Sequence, residues 1–321
     1  MIGRVPASLF AIVLGLAGLG MAWRLAPKLW SVPAIASEAI LLCAAGVWAV
    51  LMLLFAAKWL LAWPAAMSEC RHPVQCCFVA LIPVTTTLMG AAAAPYHHAA
   101  ALVLFVAGTG TTIAFAAWRT GTLWQGRRDP TVATPVLYLS SVAGCFVSAA
   151  AAASVGLGGW SAPLFGAGVF SWLAIESVLL HRLQTAEPMQ VALRPTLGIQ
   201  LAPPSVGTVA LLSVPDPPLL AAQMMLGYAV LQAAVTLRLM RWIGAQRFTA
   251  SYWAFSFGLA ALAAGTMRLR ELGDDGPLAL LALPAFILAN GVIGLLSLGS
   301  LWLLVTGRLL PDRAAEPGPP A

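Results

Sequence analysis

Ten apolar stretches follow one another along this chain with short connections between them, at approximately 6–26, 34–63, 74–93, 97–119, 133–155, 160–181, 195–214, 217–241, 249–268 and 277–307. A helix of about 20 apolar residues crosses the hydrocarbon core of a bilayer, and ten of them with short connections account for most of the 321 residues. No soluble catalytic domain fits in the remainder. The expected fold is therefore an all-α polytopic membrane protein, with one ten-helix domain over residues 1–309. A short Pro-rich tail, 310–321, is expected to be disordered and cytoplasmic. Charged residues make up only 9% of the chain, against about 25% in a soluble domain. The seventh stretch is the weakest, because it starts polar and contains Pro203-Pro204. The first, with Arg4 ahead of it, has the form of a signal peptide, but the next apolar run begins about ten residues later, so it reads as a retained helix.

The formal charge of +6 comes from cations scattered between the apolar runs, not from a dense basic stripe, which argues against nucleic acid as a partner. If both termini are cytoplasmic, the cytoplasmic segments carry Arg4, Lys58, Arg71, Arg119, Arg127, Arg128, Arg182, Arg194, Arg238, Arg241, Arg247, Arg308 and Arg313, and the other side carries Arg24, Lys28, Arg268 and Arg270. Thirteen against four accounts for all seventeen Lys and Arg and is the positive-inside bias of an even number of spans. The five cysteines lie in or beside apolar runs without CxxC spacing, so they read as small buried hydrophobes and not as a metal or disulfide framework.

Odd and even spans differ in composition. Odd spans carry helix-disturbing and hydroxyl residues in their interiors: Gly15, Gly18 and Gly20; Pro83 with Thr85, Thr86 and Thr87; Pro135 with Ser140, Ser141 and Ser148; Gly198, Pro203, Pro204 and Gly207; Ser256, Gly258 and Gly265. Even spans such as 39–61 and 219–237 are plainer Leu, Ala and Val helices. Pro and Gly in a membrane helix leave backbone groups that neighbouring protein or a wet cavity must satisfy, which puts odd helices inside and even ones toward lipid. Close packing through small residues explains the same composition without a conduit, but five helices of one parity favour a lined channel. Odd spans also start at intervals of roughly 54 to 68 residues, suggesting a hairpin repeated five times.

Little in the sequence suggests catalysis. His72, His97, His98 and His181 sit in no HExxH and beside no nucleophile, so neither an enzyme nor a cofactor is expected. Glu176, five residues before His181, is the most notable acid within a span and a candidate ion pair or proton relay with that histidine. The odd spans have no carboxylate in their interiors, which disfavours a cation path. Anions can be stabilised by helix N-termini, backbone amides and hydroxyls instead. In the ninth span the cluster Tyr252 to Gly258 sets large rings beside a serine and a glycine, and a ring facing a narrow conduit would block it.

Several segments in one order carry a resemblance: Val5-Pro6-Ala7-Ser8-Leu9-Phe10 leading to Gly15, His72-Pro73-Val74 with Ala80 to Pro83, Leu123-Trp124-Gln125-Gly126, Phe165 to Gly168 with Glu176, RPTLGIQLAP from Arg194 to Pro203, and WAFSFGL from Trp253 to Leu259. Over all ten spans the chain resembles the family of the tellurite-resistance protein TehA, the plant guard-cell slow-type anion channels and the yeast malate transporter. The resemblance implies a homotrimer. Each protomer would have five helical hairpins in quasi-fivefold arrangement around a central pore, closed by a phenylalanine on the ninth helix that corresponds by position to Phe257. Gly15, Pro83, Thr86, Pro135, Ser141, Pro203 and Gly258 are the candidates for lining that pore or kinking its helices. The expected function is a gated channel for small anions such as chloride or nitrate in a bacterial inner membrane, with tellurite resistance as an incidental consequence. The alternative is a secondary transporter exporting C4-dicarboxylates such as malate.

Overall fold

The five odd stretches form short helices, each preceded by a 3-10 turn or a single helical turn, and the five even ones each form a helix of 24 residues or more. The computed structural model describes residues 2–126 and 132–310. Arg127 and Arg128, counted above among the cytoplasmic cations, and the tail from residue 311 onward lie outside them. In chain order the helices are α1 (Phe10–Trp23), α2 (Ala26–Leu29), α3 (Ile35–Leu61), α4 (Trp63–Arg71), α5 (Cys76–Val79), α6 (Leu81–Ala93), α7 (His98–Trp124), α8 (Tyr138–Ala152), α9 (Ser161–Thr185), α10 (Ala202–Leu211), α11 (Leu219–Ile243), α12 (Ser256–Glu271), α13 (Pro277–Leu280) and α14 (Ala282–Val305). No strand occurs among the described residues.

The five even stretches became α3, α7, α9, α11 and α14, of 24 to 27 residues. At 1.5 Å per residue each exceeds the ~30 Å hydrocarbon thickness. The odd stretches became α1, α6, α8, α10 and α12, of only 10 to 16 residues. Leading into them are 3-10 turns Ala7–Leu9, Pro135–Leu137, Val191–Leu201 and Ala250–Phe255, and the single turn α5. The longest of these runs eleven residues and contains Pro195, whose missing N–H and ring prevent an α-helical bond there. Pro203 and Pro204 then fall in the first turn of α10, where an absent N–H costs nothing.

Eight helical segments among the described residues are long and apolar enough to cross a membrane, against the ten expected. The exceptions are the seventh and ninth. The α-helical part of the seventh is ten residues, and α12 ends in Arg268, Arg270 and Glu271. Both still pack against the other short helices. Contacts run from α1 to α6, α6 to α8, α8 to α10, α10 to α12 and α12 back to α1, so the five short helices close a circuit. Each long helix packs on the short one before it in sequence.

Burial follows the same division. Between 61% and 78% of the first, third and fifth segments is buried, against 17% to 28% of the five long helices. The long helices carry exposed Leu42, Leu53, Val103, Phe170, Leu231 and Leu295, more contiguous apolar surface than a water-soluble chain leaves uncovered. Gly108, in the Gly-Thr-Gly segment of α7, lies so close to α6 that a Cβ would stand 2.8 Å from the Pro83 carbonyl oxygen.

A buried ion pair fixes the entry to α1. Lys58 Nζ donates to Glu69 Oε2 at 2.6 Å and to the Val5 carbonyl at 2.8 Å, while Glu69 Oε1 accepts the Ala7 N–H at 2.7 Å. The two side chains are 4% and 8% exposed. Removing one member of a buried pair strands the other, at a cost of about 3–5 kcal/mol. Glu69→Ala should therefore lower the apparent melting temperature in detergent markedly, and Glu69→Ala/Lys58→Met should recover part of the loss. A Glu69→Ala protein melting with the parent would refute the clamp.

Candidate functional site

Two cavities lie inside the circuit of short helices, one toward each end. The first, about 160 Å3, is lined by residues near the N-terminal ends of all five odd segments, among them Ser8, Gln75, Tyr138, Thr196 and Ser251. The second, about 190 Å3, is lined nearer their C-terminal ends by Leu25, Ala91, Ser154, Ser213 and Arg268 among others. Among the described residues, only Val206 and Phe257 line both. They are 4% and 8% exposed, and their side chains stand where the two spaces would otherwise join.

Phe257 sits in the second position of α12 and rests against α1. A Cβ on Gly18 would lie 2.9 Å from Phe257 Cδ2 and 3.2 Å from Ala260 Cβ, so the ring occupies room that any other residue at 18 would fill. The neighbouring glycines serve helix contact. A Cβ on Gly15 would come within 2.9 Å of Trp253 Cε3, and one on Gly258 within 3.0 Å of the Ala202 nitrogen and Leu201 Cβ.

Of the other candidate lining or kink residues, Pro203 lines the first cavity. Pro83, Thr86, Pro135 and Ser141 line neither. The Thr86 hydroxyl returns to the Ile82 carbonyl at 2.8 Å, and the Pro83 carbonyl accepts from Thr87 at 3.1 Å. Pro135 begins the 3-10 turn ahead of α8. Ser141 faces outward, into a lateral crevice with Arg119, Phe170 and Ile175. These helices are apolar on every side, so the sequence gives no stripe from which their rotation can be read.

Glu176 is buried and is the acceptor in a four-donor cluster. Oε2 accepts from the Tyr138 hydroxyl and from Trp172 Nε1 at 2.9 Å; Oε1 accepts from the Tyr228 hydroxyl at 2.6 Å and more weakly from Gln232 Nε2 at 3.5 Å. The carboxylate thus ties α8, α9 and α11 together. His181, the expected partner, is exposed and is not among these donors. Five residues along a helix is about 140° around it, which turns the imidazole away from the carboxylate. Tyr138 and Tyr228 escaped the sequence reading because they lie 38 and 52 residues from Glu176 and belong to other helices. The one clue was that a carboxylate inside an apolar run requires buried donors. Tyr138 also lines the first cavity, so the cluster positions one wall of it.

The first cavity has no charged side chain among its described lining residues. Its polarity comes from hydroxyls, Gln75 and the N-terminal ends of the odd segments. A full helix N-terminus carries roughly +0.5 of a charge.

The voltage-dependent anion channel family, SLAC1, matches the chain over residues 4–310. The "Tellurite resistance protein TehA homolog" of Haemophilus influenzae is 34% identical to it over 306 residues, covering 95% of this chain and 92% of that protein.

Four donors converging on one carboxylate leave a leucine no equivalent bonds to make. Glu176→Leu should destabilise the protein by about 3–5 kcal/mol, and Glu176→Gln by less, since one amide oxygen still accepts. Thermal unfolding in detergent measures this, and a Glu176→Leu protein as stable as the parent would show the cluster to be energetically idle.

Proposed function

The chain belongs to the voltage-dependent anion channel family, and on that premise we propose that it is a gated pore for small inorganic anions such as chloride or nitrate, with Phe257 as the gate of its closed state. The observation that carries this reading is the pair of cavities, each lined by all five odd segments and separated by Phe257 and Val206. On this reading all ten segments cross the membrane, as five hairpins in quasi-fivefold arrangement. The closed circuit of short helices and the exposed apolar surface of the long ones support that arrangement. Assembly as a homotrimer rests on the family resemblance alone.

Selectivity for anions would follow from partial charges. The N-terminal ends of the odd segments meet at one mouth, and the wall of the first cavity has no carboxylate among its described residues. A path lined by weak, distributed donors binds an anion loosely enough to release it. The excess of Lys and Arg at this end of the odd segments supports a cytoplasmic side for it and for both termini, in the bacterial inner membrane. Tellurite resistance, which the relative's name carries, would here follow from oxyanion passage, with no dedicated tellurite site. Export of C4-dicarboxylates by a coupled transporter would need a proton relay. The candidate pair of Glu176 and His181 does not support one, since the histidine is exposed away from the carboxylate cluster.

The test is current through purified parent and Phe257→Ala protein in planar bilayers under asymmetric chloride. Large anion-selective current in the variant, with at least tenfold less in the parent, is expected. Equal currents would remove Phe257 as the gate, and no current in either would remove the channel reading.

A further inference from the structure

The second cavity has an electrostatic problem that the first does not. It is lined near the C-terminal ends of the same five segments, where aligned peptide dipoles leave negative partial charge. An anion would be repelled there unless a cation stood in the wall. Arg268 is the only ionisable side chain among the described residues that line this cavity. Its Nη1 donates to Glu271 Oε2 at 2.9 Å, and Glu271 Oε1 accepts from Lys28 Nζ at 2.5 Å. Two cations around one carboxylate leave an excess of one positive charge. The nearby Arg24 and Glu38 pair with each other at 2.9 Å. Asp274, on the loop after α12, accepts from Gln223 at 3.0 Å. Neither it nor Asp275 lines the cavity.

We propose that Arg268, held by Glu271 and Lys28, forms an anion-collecting site at the mouth opposite the cytoplasmic one, concentrating small inorganic anions ahead of the Phe257 constriction. Its role in conduction rests on the pore reading; its binding of anions does not. Arg270 provides an internal contrast. It stands in the same last helical turn with the same charge but is exposed and outside the cavity wall. A unit charge about 5 Å from an anion in water enriches it roughly fourfold, and the effect fades with salt as the screening length falls from about 30 Å at 0.01 M to about 3 Å at 1 M.

The experiment adds Arg268→Gln, Arg270→Gln, Arg268→Lys or Glu271→Gln to the Phe257→Ala protein and measures chloride current at low and high salt. Arg268→Gln should lower conductance about fourfold at low salt and little at 1 M. Arg268→Lys should retain most of it, Glu271→Gln should raise it, and Arg270→Gln should leave it unchanged. If Arg268→Gln and Arg270→Gln match at low salt, the site is refuted. If no variant conducts, the pore reading fails, and bromide-soaked crystals decide the site separately by anomalous scattering. Bromide beside Arg268 in the parent and missing in Arg268→Gln supports it; none beside Arg268 overturns it.

Discussion

Hydrocarbon offers no hydrogen bonds, so a helix that breaks its own backbone ladder must be covered by protein or by a wet cavity. The rest of this structure follows from that constraint. Five segments are interrupted by proline or enter through 3-10 turns, and they pack against one another in a closed circuit. Five uninterrupted helices bear the exposed apolar surface. A long 3-10 run such as Val191–Leu201 would be untenable against lipid, and seven of its eleven residues are buried.

The division into short and long helices was legible in the sequence because proline, glycine and hydroxyl residues concentrate in the odd segments, although α7, α9 and α14 carry such residues and still run unbroken. The direction each residue faces was not legible. Thr86 and Ser141 resemble conduit hydroxyls in composition, but one returns to its own helix and the other faces a lateral crevice. Gly18 stood out only as a disturbed position, and its use as the seat of Phe257 depends on a contact between α1 and α12 that no local pattern encodes. Lys58 stands near the end of the second stretch and Glu69 in the connection after it, where a charge usually implies solvent. Their near-complete burial comes from the chain before α1 folding over them. Eight segments meet the length and hydropathy of a membrane span. The shortfall from ten is confined to the seventh segment, with its prolines, and the ninth, with its charged C-terminal end.

Charge is distributed along the same axis. At one end, uncharged walls and helix N-termini supply a diffuse positive field; at the other, a fixed guanidinium stands where the peptide dipoles point the wrong way. Neither end needs a tightly binding site. Glu176, buried behind the wall of the first cavity, is covered by Tyr138, so its charge is spent on holding α8, α9 and α11 together.

The seat of Phe257 on Gly18 bears on leak. A ring lying on bare backbone is retained by dispersion and burial alone, with no hydrogen bond or charge to latch it. Burial of a phenylalanine side chain is worth about 1.5–3 kcal/mol, which on the pore reading would leave an open fraction of roughly one in ten to one in a hundred. On the pore reading, a one-ring gate of this kind would pass a basal trickle without any stimulus, so a cell carrying it would have to tolerate or exploit a standing anion permeability.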